Sequence, residues 1–208
     1  VAKDPEIRIL ILNACGRAFC VGADTSSMPT NPLDWRDRIQ MAQQHHEKLI
    51  KMNKIVIAAV NGIAAGGGAS LALAADILIM DEDATLRFPF VRLGLIPDGG
   101  CSFLLQIKLG VPLALDLMLT GGLITSHDAQ RFGLTRRVVP NHLLSEASKN
   151  LAIELLKLPV EAQIITKSLS RQTWGSAMDS SFAHEADAFA FATMLPGHKE
   201  ALANIAKK

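Results

Sequence analysis

The chain has 208 residues, 49% hydrophobic and 20% charged, which suits one domain, or one with an appendage, around a sizeable core and excludes disorder. Lys and Arg exceed Asp and Glu by a net +1, so there is no basic footprint for nucleic acid. With 0 Tyr, any mechanism that needs a tyrosine acid is closed.

The opening Val-Ala-Lys-Asp-Pro-Glu has neither the apolar stretch nor the cleavage site of a signal peptide, and with no initiator Met a fragment is expected. Ile7 to Leu12, apolar and rich in β-branched residues, predicts a buried strand. Arg17 to Asp24 follows as a loop that turns at Gly22 and can offer a backbone N–H. Ile39, Ala42, His46, Leu49 and Ile50 recur at helical steps and predict an amphipathic helix covering a sheet face. Ile55 to Val60 predicts a second strand. The uncharged run from Ile55 to Ala75 is long enough to span a bilayer, but Asn61-Gly62 and Gly66-Gly67-Gly68 break it into strand, loop and helix. No membrane span is expected.

Asp76 to Met80, Thr85 to Phe88 and Arg136 to Val139 read as further strands, the last closed by Pro140. Between them, Gly94 to Gly100 forms a stiff turn that carries Asp98 ahead of a helix pattern. At Thr125-Ser-His-Asp-Ala a helix starts, with Thr125 or Ser126 as N-cap and Asp128 near the positive end of the dipole. From Leu143 onward the chain turns all-helical, over Leu144 to Leu156, Val160 to Thr173, Ser176 to Met194 and His198 to Lys207. Strands separated by helix-length segments imply an α/β core with a mainly parallel sheet over residues 1–142, and a helical region over residues 143–208.

Cys15, Cys20 and Cys101 lack the spacing of a zinc site or a disulfide framework and read as reduced, mostly packed thiols, which suits a cytoplasmic protein. His45 and His46, adjacent on a helix, face different directions and make no metal clamp, so no metal is expected. The chemistry concentrates elsewhere. Asn61 to Ser70 follows a buried strand and opens a helix whose first N–H groups are unpaired, a place for an anion or a developing oxyanion. Combined with the Gly22 loop and the Asp98 turn, this suggests two backbone donors and a carboxylate base. Asp98 equally suits a plain turn and cap.

Ala18 to Asp24, Ile57 to Gly68, Ala74-Ala75-Asp76, Leu93 to Pro97, and Leu119-Thr120-Gly121 with Ala129 and Gly133-Leu134 together resemble the crotonase, or enoyl-CoA hydratase/isomerase, superfamily. Their order and spacing agree over roughly Glu6 to Lys208, which makes the resemblance far more specific than any glycine run. It implies a crotonase-like spiral of ββα units with a helical C-terminal trimerisation region, in trimers or dimers of trimers. The implied substrate is an acyl-CoA thioester, with no separate cofactor. By motif position, the N–H groups of Ala23 and Gly67 would hold the thioester oxygen, with Cys20, Gly22, Asp24, Gly66 and Gly68 as neighbouring substrate contacts. Family members carry further strands and a helix before the point at which this chain begins, in keeping with a fragment.

Two departures bear on the reaction. Where hydratases of the family keep the two glutamates that position water, this chain has Ser70 and Phe90, and neither is a free base. Where the family's isomerases keep a single carboxylate, in the turn before the next helix, it has Asp98. The resemblance thus implies an enoyl-CoA isomerase with Asp98 as base, Ser70 lining the site, and Phe90, Leu95, Ile96 and Phe103 as an apolar lining that desolvates it. A dehalogenase subgroup also places Asp there, but its tryptophan is replaced by Phe90. An atypical hydratase and a catalytically inactive or RNA-binding scaffold are the alternatives, the last disfavoured by the net +1 charge.

Overall fold

The computed structural model describes residues 1–24 and 28–205, apart from the side chain of Ile205. Thr25 to Ser27, and the expected helix end at Lys207, lie outside the described residues.

The first units pair one strand from each of two sheets with one helix. β1 (Ile9–Leu12) and β2 (Ala18–Cys20) precede α1 (Pro32–Lys51), and β3 (Ile55–Val60) and β4 (Ile63–Ala65) precede α2 (Gly67–Leu73). Next come β5 (Ile77–Asp81), β6 (Thr85–Arg87), a 3-10 turn at Pro89–Leu93, α3 (Cys101–Leu109) and α4 (Val111–Thr120). β7 (Leu123–Thr125), α5 (Ser126–Arg131) and β8 (Val138–Val139) complete the sheets. Four helices follow: α6 (Asn141–Leu156), α7 (Val160–Gln172), α8 (Gly175–Met194) and α9 (Pro196–Ile205).

One sheet has the order β1-β3-β5-β8, all parallel; the other has β2-β4-β6-β7, parallel except for β7 against β6. Because β1, β3 and β5 enter one sheet and β2, β4 and β6 the other, each ββα unit advances the chain by one turn of a spiral. The long strands were legible because β3 is buried at every residue. Val56, Ala58 and Val60 join the main core, whereas Ile57 and Ala59 face a second cluster roofed by Leu144, Leu151 and Ala152 of α6. A strand covered on both faces reads as a continuous apolar run. β2, β4 and β7 are three residues each and carry no readable alternation, so the sequence showed only loop where they stand.

α1 starts where Asn31 accepts from the Leu33 N–H at 2.9 Å and Pro32 presets the first turn. Its buried stripe, Trp35, Ile39, Gln43, His46 and Ile50, lies chiefly against α8 rather than on a sheet face as expected, with the Trp35 and Phe189 rings 5.3 Å apart, because α8 supplies the facing apolar surface. α5 opens on a capping box in which Thr125 accepts from the Asp128 N–H and Asp128 accepts from the Thr125 N–H, so Thr125 is the N-cap. α7 is tied to the sheet by an ion pair of Lys167 with Asp76, whose carboxylate also accepts from the Val56 N–H at 2.8 Å. Among the described residues, no helix is long and apolar enough to cross a membrane.

Candidate active site

The parallel strands β2, β4 and β6 lie side by side, so their C-terminal ends deliver three segments to one edge of the sheet. After β2 come Val21, Gly22 and Ala23; after β4, Gly66 and Gly67; after β6, Phe88 to Phe90. The first two segments touch. A Cβ on Gly22 would lie 3.7 Å from the Gly67 nitrogen, and one on Gly68 would come within 2.0 Å of the Cys20 carbonyl oxygen. Only glycine permits that approach. The arrangement therefore brings Ala23 and Gly67, the two backbone donors expected from the motif, onto adjacent strand ends.

Asp98 reaches the same place from the turn before α3. Its Oδ1 lies 3.7 Å from where a Gly67 Cβ would be, so the carboxyl faces the Gly67 backbone. Backbone contacts hold the turn from several directions. The Asp98 carbonyl accepts from the Ser70 hydroxyl at 2.8 Å and from the Cys101 N–H at 3.0 Å. The Gly99 carbonyl accepts from His46 Nδ1 at 2.8 Å. Since a carbonyl only accepts, Nδ1 carries the proton, and burial lowers the His46 pKa, which favours the neutral ring. Gly99, at φ +64°, packs so closely on this imidazole that a Cβ would fall 2.6 Å from it.

The Asp98 carboxyl is pushed up to about 7, first by burial and then by the neighbouring Glu185 carboxylate, while Arg38 pulls it down. Burial was the cause expected from the sequence. Glu185 was not foreseen. It sits on α8 with Met178, Phe182, Ala186 and Phe189 on the buried face, and a carboxylate within that apolar stripe is the signal that would have exposed it. Its Oε2 accepts from the Gly100 N–H at 2.7 Å and the Gln43 amide at 3.2 Å, its Oε1 from the Ser102 N–H at 3.0 Å and hydroxyl at 2.5 Å.

The other expected residues distribute as follows. Phe90 is buried, with its ring edge over Gly66, and Leu95 is buried close by in the core. Ile96 is half-buried and borders a cavity of about 500 Å³ shared with Pro97, Ser102, Ser181, His184 and Glu185. Phe103 instead packs on Trp174 at 5.6 Å, and Trp174 lines a separate cavity of about 630 Å³ under α7. That larger cavity contains none of the residues expected at the site. Ser70 is fully buried and spends its hydroxyl on the Asp98 turn, so it acts on the site from behind. Ala23 and Asp24 are exposed and Cys20 is half-buried. All three cysteines are free, and Cys15 is exposed rather than packed because it stands in the bend between β1 and β2, outside both strands. Among the described residues, no group of three or more His, Cys, Asp or Glu could hold a metal ion.

A two-sheet ββα spiral with backbone donors and a carboxylate at one sheet edge defines a crotonase-type fold. Residues 1–202 match the Enoyl-CoA hydratase/isomerase family, and the chain belongs to it. It is 33% identical to the 1,2-epoxyphenylacetyl-CoA isomerase of Escherichia coli, over 90% of this chain and 73% of that one. It is 32% identical to the carnitinyl-CoA dehydratase of Salmonella arizonae, over 86% and 69%. Among solved structures, an enoyl-CoA hydratase from Mycobacterium avium subsp. paratuberculosis superposes with a TM-score of 0.88 at 26% identity, covering 97% of this chain and 81% of that one.

Proposed function

We propose that the protein is an enoyl-CoA isomerase that moves a double bond by proton transfer, with Asp98 as the base. The observation that carries this reading is the Asp98 carboxyl against Gly67, at a pKa of about 7, in a site whose two hydratase positions hold Ser70 and Phe90. Asp98 takes a proton from C2 of a 3-enoyl-CoA, and the C–H electron pair delocalises onto the thioester oxygen as a dienolate. The same carboxylic acid returns the proton at C4, giving the conjugated 2-enoyl-CoA. A group whose pKa lies near the working pH serves both halves of that cycle. The N–H groups of Ala23 and Gly67 would stabilise the oxyanion, each by roughly 3 kcal/mol.

The E. coli relative named an isomerase supports this reading, whereas the Salmonella relative is named a dehydratase. Assay of 3-enoyl-CoA and crotonyl-CoA side by side separates the two chemistries. Isomerisation creates conjugated absorbance and hydration removes it. With no carboxylate at residues 70 and 90, hydration should run at least about a hundredfold below isomerisation. Comparable rates would mean that another group activates water.

A further inference from the structure

α3 begins without a cap of its own, since its N-cap is Gly100 and no side chain from the turn bonds its first N–H groups. The missing acceptor arrives from α8. Glu185 is 4% exposed, yet four donors from the turn, α3 and α1 converge on its two oxygens. Three of these are N–H donors that cannot accept, and the fourth is the Ser102 hydroxyl, so the ionised carboxylate satisfies all four whereas the acid could place its proton only on Ser102. Burial raises the Glu185 pKa and these donors oppose the rise. Ile96 and Pro97, just before Asp98, border the same cavity as Ser102 and Glu185, so the clamp stands at the cavity wall.

We propose that Glu185 is a positioning residue for proton transfer: its buried carboxylate clamps the start of α3 against α8 and fixes where, and beside which charge, the Asp98 carboxyl sits. A neutral helix cap would give the same local geometry without placing a second buried charge beside the base. The charge has a consequence of its own. As a like charge it disfavours ionisation of Asp98, after burial the largest influence on that group, with Arg38 of α1 opposing it. Of the other titratable neighbours, burial favours neutral His46 on α1 and holds the Cys101 thiol of α3 well above its usual range, and His184 of α8 borders the same cavity as Glu185.

The inference rests on Asp98 being the base, and the test separates the two. The pH profile of kcat on a 3-enoyl-CoA is measured for the wild type, Glu185→Gln, Glu185→Asp and Asp98→Asn. Removing the charge makes Asp98 easier to ionise, so Glu185→Gln should move the acid limb down by about one pH unit and lower the plateau about three- to tenfold, the weaker base being the slower one. Glu185→Asp keeps the charge and should keep the limb where it is in the wild type. A Glu185→Gln enzyme with wild-type limb and plateau overturns the proposal, whatever its thermal midpoint, because a purely structural cap predicts that result. Should Glu185→Gln not fold, carboxyl ¹³C titration of the wild type decides. Glu185 ionised while Asp98 takes up its proton supports the clamp, and Glu185 protonated over that range overturns it. An unimpaired Asp98→Asn enzyme would instead remove the base assignment itself, whereas an inactive one beside an unshifted Glu185→Gln removes only the role of Glu185.

Discussion

Asp98 occupies an unusual electrostatic position for a turn residue, with its side chain buried beside a second carboxylate while its carbonyl is held by Ser70 and Cys101 and the next one, of Gly99, by His46. Asn has nearly the same shape and keeps the turn between Pro97 and Gly99, but it cannot take and return a proton. Asp98→Asn should therefore lower kcat about 100- to 10,000-fold with acyl-CoA affinity nearly unchanged, measured by initial rates and calorimetric binding. The same substitution tests the pKa. A carboxyl at 3.8 in the unfolded chain and about 7 in the folded one binds more protons when folded between those values, so stability falls as pH rises through that window. The penalty is fully present above pH 7 and absent below about pH 4. Asp98→Asn should thus raise the thermal midpoint by several degrees at pH 8 and change it little at pH 4. A simple cap predicts the opposite at pH 8, a loss.

Each segment at the sheet edge depends on how closely β2, β4 and α2 approach. The contact of Gly68 with the Cys20 carbonyl is backbone against backbone, so a side chain there cannot be relieved by a rotamer change. Gly68→Ala should destabilise the fold by about 1–3 kcal/mol in chemical unfolding, and should lower activity by parting the Gly22–Ala23 loop from Gly67. Gly175→Ala, at the start of α8 with nothing within 4 Å, is the matched control and should stay within about 0.5 kcal/mol. Legibility at this scale followed length. The six residues of β3 announced themselves, while β4 resembled a loop because three residues, two of them alanine, become a strand only through pairing with β2 and β6.

For the whole molecule, the C-terminal helices leave apolar surface uncovered. α7 has no buried residue, and its Ile165 and Leu169 are more than half exposed, as is Leu119 at the end of α4. Patches of this kind on a chain with a full core are the usual mark of association. We propose that residues 143–208 carry a trimer contact, so light scattering should return three times the 22.4 kDa chain mass. Leu169→Glu should shift that mass toward one chain, and a monomeric wild type at working concentration would count against the contact.

By itself the sequence determined the long strands, the helices other than α4 and the position of the glycine loops, because those features lie in periodicities and neighbouring residues. It also placed Asp98 in a stiff turn and showed no carboxylate at residues 70 and 90. Tertiary structure decided what lies beside Asp98. Ser70, His46 and Glu185 stand on α2, α1 and α8, and local spacing carries no information about helices that meet only after the spiral closes. Nor did the sequence show that Phe103 turns to Trp174, away from the smaller cavity, or that Ser70 bonds the turn from behind. The physical reason is common to all of these. A side chain's type is local, whereas its burial, its partners and hence its proton affinity are set by elements far apart in the chain.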